Sequence, residues 1–409
     1  MRDRAARAIA ECRRIAAMSE EPGRTTRRFL TPPMRDVHDH LRRRMEALGM
    51  STSVDAAGNL RGLWQPAQSR GKRLVMGSHI DTVPDAGAFD GVLGVTLALE
   101  WAELAQDLQL PLAMEVIAFS DEEGVRYGVP FLGSRAVAGC FDLNLLARED
   151  TDGVRMNDAI RAFGLDPAKI GEAALDDDVL GYVELHIEQG PVLEAENLSV
   201  AVVSAIAGQT RLNLSFSGQA NHAGTTPMRL RRDALAAAAE WVVAVEALAQ
   251  HTDELVATVG KISVEPNAGN VVPGAAKLSL DVRHSSDGLR ASAVEKLLAE
   301  AKAITSRRGI GFEYAIQMDQ PAVPMDKHLT SLLTEATEAA GLHLTTISSG
   351  AGHDAMVIAS RVPAAMLFLR SPGGISHHPD ETVLERDVEA ALQIGREFLL
   401  RIAKEKDLG

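Results

Sequence analysis

Residues 77–91 read GSHIDTVPDAGAFDG, and the apolar run Leu74-Val75-Met76 leads into them. This is the pattern of a buried strand whose outgoing loop carries metal ligands. His79 offers a neutral imidazole, and Asp90 offers two oxygens able to bridge two cations. Asp81 follows His79 by two positions, where it can accept the other ring N–H and hold the tautomer. One such stretch is only a hint.

The same design recurs at three distant points. The apolar run Met114–Ser120 ends in Asp121-Glu122-Glu123-Gly124, Tyr182–Leu185 leads into His186, and Ala364–Leu369 leads through a Gly-rich loop into His377-His378. A helical pattern at Val92–Leu108 separates the first two runs. Strands alternating with helices predict an α/β domain with a largely parallel sheet. In such sheets ligands collect at the carboxyl ends of the strands. Residues 1–50 read as helical, with Gly49 as a stop. Residues 206–320 have another texture: alternating strands at Arg211–Phe216 and Lys277–Arg283, and Ala-rich helices after Asp233 and around Ala291–Thr305. The expected organisation is an α/β domain of residues 1–205 and 321–409, with an α+β domain of residues 206–320 inserted into it.

The 409-residue chain is 46% apolar and 24% charged, which suits a large buried core. Its net charge of −14 argues against a nucleic-acid partner, because polyanion binding needs clustered Lys and Arg. The Arg-rich start (Arg2, Arg4, Arg7, Arg13, Arg14) is followed by no apolar segment and reads as a solvated helix face, not a signal peptide. The longest apolar run, Ala234–Ala249, is too short and too charged for a membrane span. Cys12 and Cys140 make no disulfide framework and no zinc-finger spacing, so a cytoplasmic protein with incidental thiols is expected. Any metal must then be held by His and carboxylates.

Each element has a bland reading of its own: a core histidine, a solvated acidic turn, a loop. Their joint occurrence at four strand ends is harder to dismiss. His79, Asp90, the Glu122-Glu123 pair, His186 and His377 or His378 make a donor set for one or two Zn²⁺, Mn²⁺ or similar ions. Asp90 is the expected bridge, since an imidazole cannot bridge. Of two adjacent glutamates, one can ligate while the other stays free as a base toward water.

In order along the chain stand GSHIDTVP…FDG, DEEG, ELHIEQGPVLE, NHAGTTPM, GNVVPG…LDVR, SGAGHDAM and GGISHHPDE. From about residue 25 to 400 the chain resembles the dinuclear-metal aminoacylase/carboxypeptidase superfamily. More narrowly, ELHIEQG and HAGTTPM resemble its ureido-acid branch of allantoate amidohydrolases, N-carbamoyl-L-amino-acid hydrolases and β-ureidopropionases. The resemblance implies a zinc-exopeptidase-like catalytic domain with a mostly parallel mixed sheet, and an inserted lid and dimerisation domain. It implies metal ligands at His79, Asp90 (bridging), Glu123, His186 and His377, with Glu122 as general base and His378 at a variable position. It also implies that His222 polarises the scissile carbonyl. Asn270 and Arg283, 13 positions apart, would bind the substrate carboxylate, with Gln189 and His353 as further contacts near the substrate.

The expected activity is therefore hydrolysis of a linear ureido acid, with release of ammonia and CO₂, by a cytoplasmic homodimer joined through the lid. Two divalent ions are expected, Zn²⁺ or Mn²⁺ with Ni²⁺ and Co²⁺ as substitutes. The substrate choice lies among allantoate, an N-carbamoyl-L-amino acid and 3-ureidopropionate, with allantoate narrowly preferred. Two rivals are an aminoacylase or dipeptidase on the same metals, disfavoured by ELHIEQG, and a metal-binding homologue without turnover, disfavoured by Glu122.

Overall fold

The computed structural model describes residues 1–69 and 71–404; residues 405–409 of the expected α/β segment, and Arg70, lie outside the described residues. The chain forms two compact units. One takes Met1–Ser204, Met325–Ile347 and Ala351–Gly409, and the other takes Ala205–Pro324 with Ser348–Gly350.

In the first unit the strands Ala113–Phe119, Arg73–His79, Val179–Ile187 and Ala364–Leu369 pair in parallel, in that spatial order. Antiparallel strands flank them: Leu60–Trp64 beside the first, and Val200–Ile206 beside the last. This is the mixed, mostly parallel α/β sheet that the alternation of strands and helices predicts. Parallel strands covered on both faces read as unbroken apolar runs, and every residue of Ala113–Phe119 is buried. The one charge in that strand, Glu115, accepts from Arg61 Nε at 2.6 Å and Arg73 Nε at 2.7 Å. A buried carboxylate is tolerable when it is paired in this way.

The helix Val92–Asp107 lies unusually close to the sheet because of Gly94. A Cβ there would stand 2.1 Å from the Leu185 carbonyl oxygen and 2.7 Å from Ser78 Cβ. This close approach carries the Asp90–Gly91 turn, just before the helix, toward the strand ends. Farther along, the buried Trp101 meets Phe398 of the helix Glu385–Ile402 at 5.7 Å between ring centroids.

Two expectations for the N-terminus are corrected. Residues 1–50 are not one helical stretch: Arg2–Ala16 and Pro32–Ala47 are helices, and residues 17–31 between them are irregular. Pro22-Gly23, with Gly23 at φ 79°, breaks the pattern. Arg27 then pins the irregular segment, donating to the carbonyls of Ile15, Met18 and Ile80 from a fully buried position. Nor is the arginine-rich face simply solvated. Arg4, Arg7 and Arg44 converge on Glu100 and Glu103 of the helix Val92–Asp107.

The second unit is a four-stranded antiparallel sheet in the order Gly311–Gln320, Gly208–Ser217, Ala275–His284, Val256–Glu265. Leu212, Leu214 and Phe216 alternate inward and pack on the helices Ala234–Gln250 and Asp287–Arg308. Asp233 caps the first of these helices by accepting from Ala236 N at 3.0 Å. Among the described residues no helix is long and apolar enough to cross a membrane.

Gly94→Ala is expected to cost about 1–3 kcal/mol by overpacking the helix against the sheet. Urea unfolding measures it, and a midpoint equal to wild type would refute the close approach.

Candidate metal centre

All four ligand-bearing segments sit at the carboxyl ends of the four parallel strands. His79 ends its strand, Glu122 and Glu123 follow Phe119, His186 lies one residue before the end of Val179–Ile187, and His377 follows Leu369 through a loop. Asp90 closes the loop between His79 and the helix at Val92.

Local hydrogen bonds set the tautomers. His79 Nδ1 faces the Asp81 backbone oxygen at 3.0 Å, and His186 Nδ1 faces the Ile187 backbone oxygen at 2.8 Å. A carbonyl can only accept, so both rings carry a proton on Nδ1 and turn Nε2 inward. The two Nε2 atoms lie 3.5 Å apart. Gly91, at φ 66°, is required beneath them: a Cβ there would come within 2.5 Å of the His79 ring.

Asp90 stands between two groups of donors. Its Oδ1 is 3.5 Å from His186 Nε2, and its Oδ2 is 3.2 Å from His377 Nε2. His377 Nε2 is also 3.3 Å from Glu123 Oε1, a buried oxygen with no aligned hydrogen bond, so this contact is one of charge alone. The sets His79/Asp90/His186 and Asp90/Glu123/His377 each bring their ligand atoms within 4.8 Å of one another, and they share Asp90. Glu122 belongs to neither of these sets but lies within the same reach of His79 and Glu123.

The charge balance shows what the cluster lacks. Burial pushes the Glu122 carboxyl well above its ordinary range and raises that of Glu123. Burial holds His186 down to about 4, a neutral donor. The carboxylates of Asp90 and Glu123 lift His377 to about 10. The Asp81 carboxylate lifts His79 well above its ordinary value despite burial, and carboxylates and imidazoles crowd the same buried space. That donor set fits divalent cations.

Asp81 has a broader task than expected. Its Oδ1 is 3.4 Å from His79 Nδ1, but its two oxygens also accept from the amides of Glu122 at 2.9 Å and Glu123 at 3.1 Å. It therefore ties the first ligand loop to the second.

The remaining expected residues divide by unit. Gln189, at φ 57°, donates from Nε2 to Asp90 Oδ1 at 3.0 Å. His353 is buried with its ring 4.5 Å from that of His186 and 5.4 Å from that of Phe368. His378 is exposed and faces Asp380 at 3.7 Å. In the second unit, His222 and Asn270 are neighbours: Asn221–His222 pairs with Val271–Val272, and Ala223 N donates to Asn270 O at 2.9 Å. Arg283 donates through Nε and Nη2 to Asp281 at 2.9 and 3.0 Å and through Nη1 to Gly350 O at 2.6 Å.

Two buried carboxylates went unread. Glu184 accepts from Ser78 Oγ at 3.0 Å and Ala355 N at 2.7 Å, and burial pushes it up to about 7. Strand alternation was the available signal, since residues two apart share a face. The other is Glu381, in the HHPDE segment; its hydrogen bonds run to the loop of Asp90.

The model of peptidase family M20/M25/M40 matches residues 75–404. The chain belongs to that family. It is 39% identical over 420 residues to allantoate deiminase 1 of Glycine max, covering 94% of this chain and 86% of that one. It is 36% identical over 402 residues to the N-carbamoyl-L-amino-acid amidohydrolase of Paenarthrobacter aurescens, covering 97% of each. A crystal structure of a hydantoinase/carbamoylase-family amidase from Burkholderia multivorans superposes with a TM-score of 0.91 at 31% identity, covering 98% of each chain. The resemblance drawn from the motifs is thus borne out for the family and for its ureido-acid branch.

Asp81→Ala should keep the fold but weaken cation binding about 10- to 100-fold, as removing a group behind a ligand does. Competition with a chromophoric chelator reads this directly. Unchanged affinity would mean that the Glu122–Glu123 loop holds itself.

Proposed function

We propose that the chain hydrolyses linear ureido acids with the help of two divalent cations. The observation that carries this reading is Asp90, whose two oxygens face two separate donor sets while Glu122 stands beside both. Relatives named for allantoate and for N-carbamoyl amino acids, aligned along nearly the whole chain, support the substrate class. His79, His186 and Asp90 would hold one cation, and Asp90, Glu123 and His377 the other. Zn²⁺ or Mn²⁺ suits these nitrogen and oxygen donors, and Ni²⁺ or Co²⁺ can replace them.

When bound, such cations bring the pKa of water to about 7 and polarise a carbonyl oxygen. Glu122 accepts the water proton as its oxygen attacks the ureido carbonyl, then returns it to the leaving nitrogen. Ammonia departs, and the carbamate left behind collapses to CO₂ and an amine. His222 Nδ1 accepts from Gly224 N at 3.1 Å, so its proton sits on Nε2, ready to donate to the oxyanion. Gln189 Oε1 is buried with no hydrogen-bond partner and can accept from a substrate N–H.

Carboxylate recognition falls to Asn270 and Arg283. Asp281 and Gly350 use three of the five guanidinium N–H groups. One N–H remains on each terminal nitrogen, the pair that grips a carboxylate bidentately. His353 braces His186 beside the substrate. The proposed assembly is a homodimer through the second unit, in keeping with its exposed Val256, Ile262 and Ile316. The proposed setting is the cytoplasm, in keeping with the free thiols Cys12 and Cys140.

Allantoate is the first-choice substrate and an N-carbamoyl-L-amino acid the second. The test is ammonia release from allantoate, N-carbamoyl-L-amino acids and 3-ureidopropionate after loading with each cation. Cleavage of acyl-amino acids or dipeptides alone would move the chain to the aminoacylase class, and no turnover of any would make it a binding homologue. Glu122→Gln should lower kcat at least about 100-fold, the usual share of a general base, while bound metal measured by plasma emission stays constant. Arg283→Ala should raise KM far more than it lowers kcat, as loss of an interaction made equally in ground and transition state does. Steady-state kinetics separates the two effects.

A further inference from the structure

The chain places His79 and His186 by pairing their strands with each other. Nothing comparable places His377. It lies on an irregular loop at φ 55°, 287 positions along the chain from Asp90. Yet His377 Nε2 stands 3.2 Å from Asp90 Oδ2. Some contact outside regular secondary structure must hold that spacing.

Glu381 makes it. Its side chain is 5% exposed. Oε1 accepts from two successive amides of the other loop, Phe89 N at 2.9 Å and Asp90 N at 3.0 Å. Oε2 accepts from Ser376 Oγ at 3.2 Å, on the residue before His377, and the Glu381 amide donates to His378 O at 3.0 Å. The loop of Asp90 is shaped to admit this carboxylate: a Cβ on Gly87 would lie 2.4 Å from both Cβ and Oε1 of Glu381. One carboxylate thus clasps the two loops at the donors they bring together.

We infer that Glu381 is a positioning residue that sets the distance between Asp90 and His377, and with it the affinity of one cation position far more than the other. This rests on the two-cation reading. The His79/His186 position depends far less on Glu381, because both rings are held by the backbone carbonyls of Asp81 and Ile187 and Asp90 Oδ1 is held by Gln189. Removing the carboxylate leaves two inward amides without an acceptor, a substantial penalty that the loop relieves by shifting. Glu381 belongs to none of the donor groups around Asp90, so its effect comes through ligand spacing.

The test is titration of chelator-stripped full-length protein with Co²⁺, followed by its visible absorption and by equilibrium dialysis. Wild type should take up two equivalents. Glu381→Ala should hold the first with wild-type affinity and the second about 10- to 100-fold more weakly, the usual effect of losing a group behind a ligand. Glu381→Gln, which keeps an oxygen for the amides, should recover part of the loss, and Ser376→Ala should reproduce a smaller part. Two sites of wild-type affinity in both Glu381 variants overturn the inference. So does an equal weakening of both sites, which marks general loosening. Asp90→Ala separates this from the parent reading: if it still binds two equivalents, or wild type binds only one, the two-cation assignment itself falls.

Discussion

Asp90 is the point on which the structure turns. Its carboxylate is buried, and each oxygen faces a different set of donors. Burial opposes its ionisation, and the His377 imidazole holds it charged nonetheless. Such a group is tolerable only if positive charge is supplied on both sides. The surrounding residues answer that demand: the Nε2 atoms of His79 and His186 on one side, His377 and Glu123 on the other, and Glu381 and Gln189 gripping the amide and side chain of Asp90 itself.

The scaffold meets the demand by bringing backbone unusually close. Gly94 lets a helix settle against Leu185, Gly91 lets the His79 ring lie over a left-handed turn, and Gly87 lets Glu381 through. Asp81 links the His79 loop to the glutamate pair, as Glu381 links the Asp90 loop to the His377 loop. In each case a carboxylate accepts from two successive backbone amides and so fixes a loop that no sheet ladder reaches. Rigid strands carry two imidazoles, and carboxylate clasps carry the remaining ligands.

The second unit divides its labour differently. Arg283 is already paired with Asp281, and Arg211 Nε reaches the same carboxylate at 2.9 Å. The guanidinium is held flat and aimed before any ligand arrives, which reduces the ordering cost of binding a carboxylate. The fixed tautomer of His222 is the same device applied to a donor.

The apolar runs that end in His79, Asp121, His186 and, beyond a loop, His377 were enough to predict a parallel sheet with ligands at its strand ends, because a strand buried on both faces must be apolar until it leaves the sheet. The motifs were enough to place the family. The irregular 17–31 segment was not legible, since Arg27 holds it through the carbonyls of Ile15 and Met18 and of the distant Ile80. Glu184 and Glu381 were hidden for a related reason. A carboxylate that binds backbone amides leaves no mark on the partner's side-chain pattern, so sequence shows the acid but not what it holds. The candidate donors were thus legible in the local sequence. The spacing of Asp90 from His377, and the hold of the Gly350 carbonyl on Arg283, were decided only when the fold brought distant backbone together.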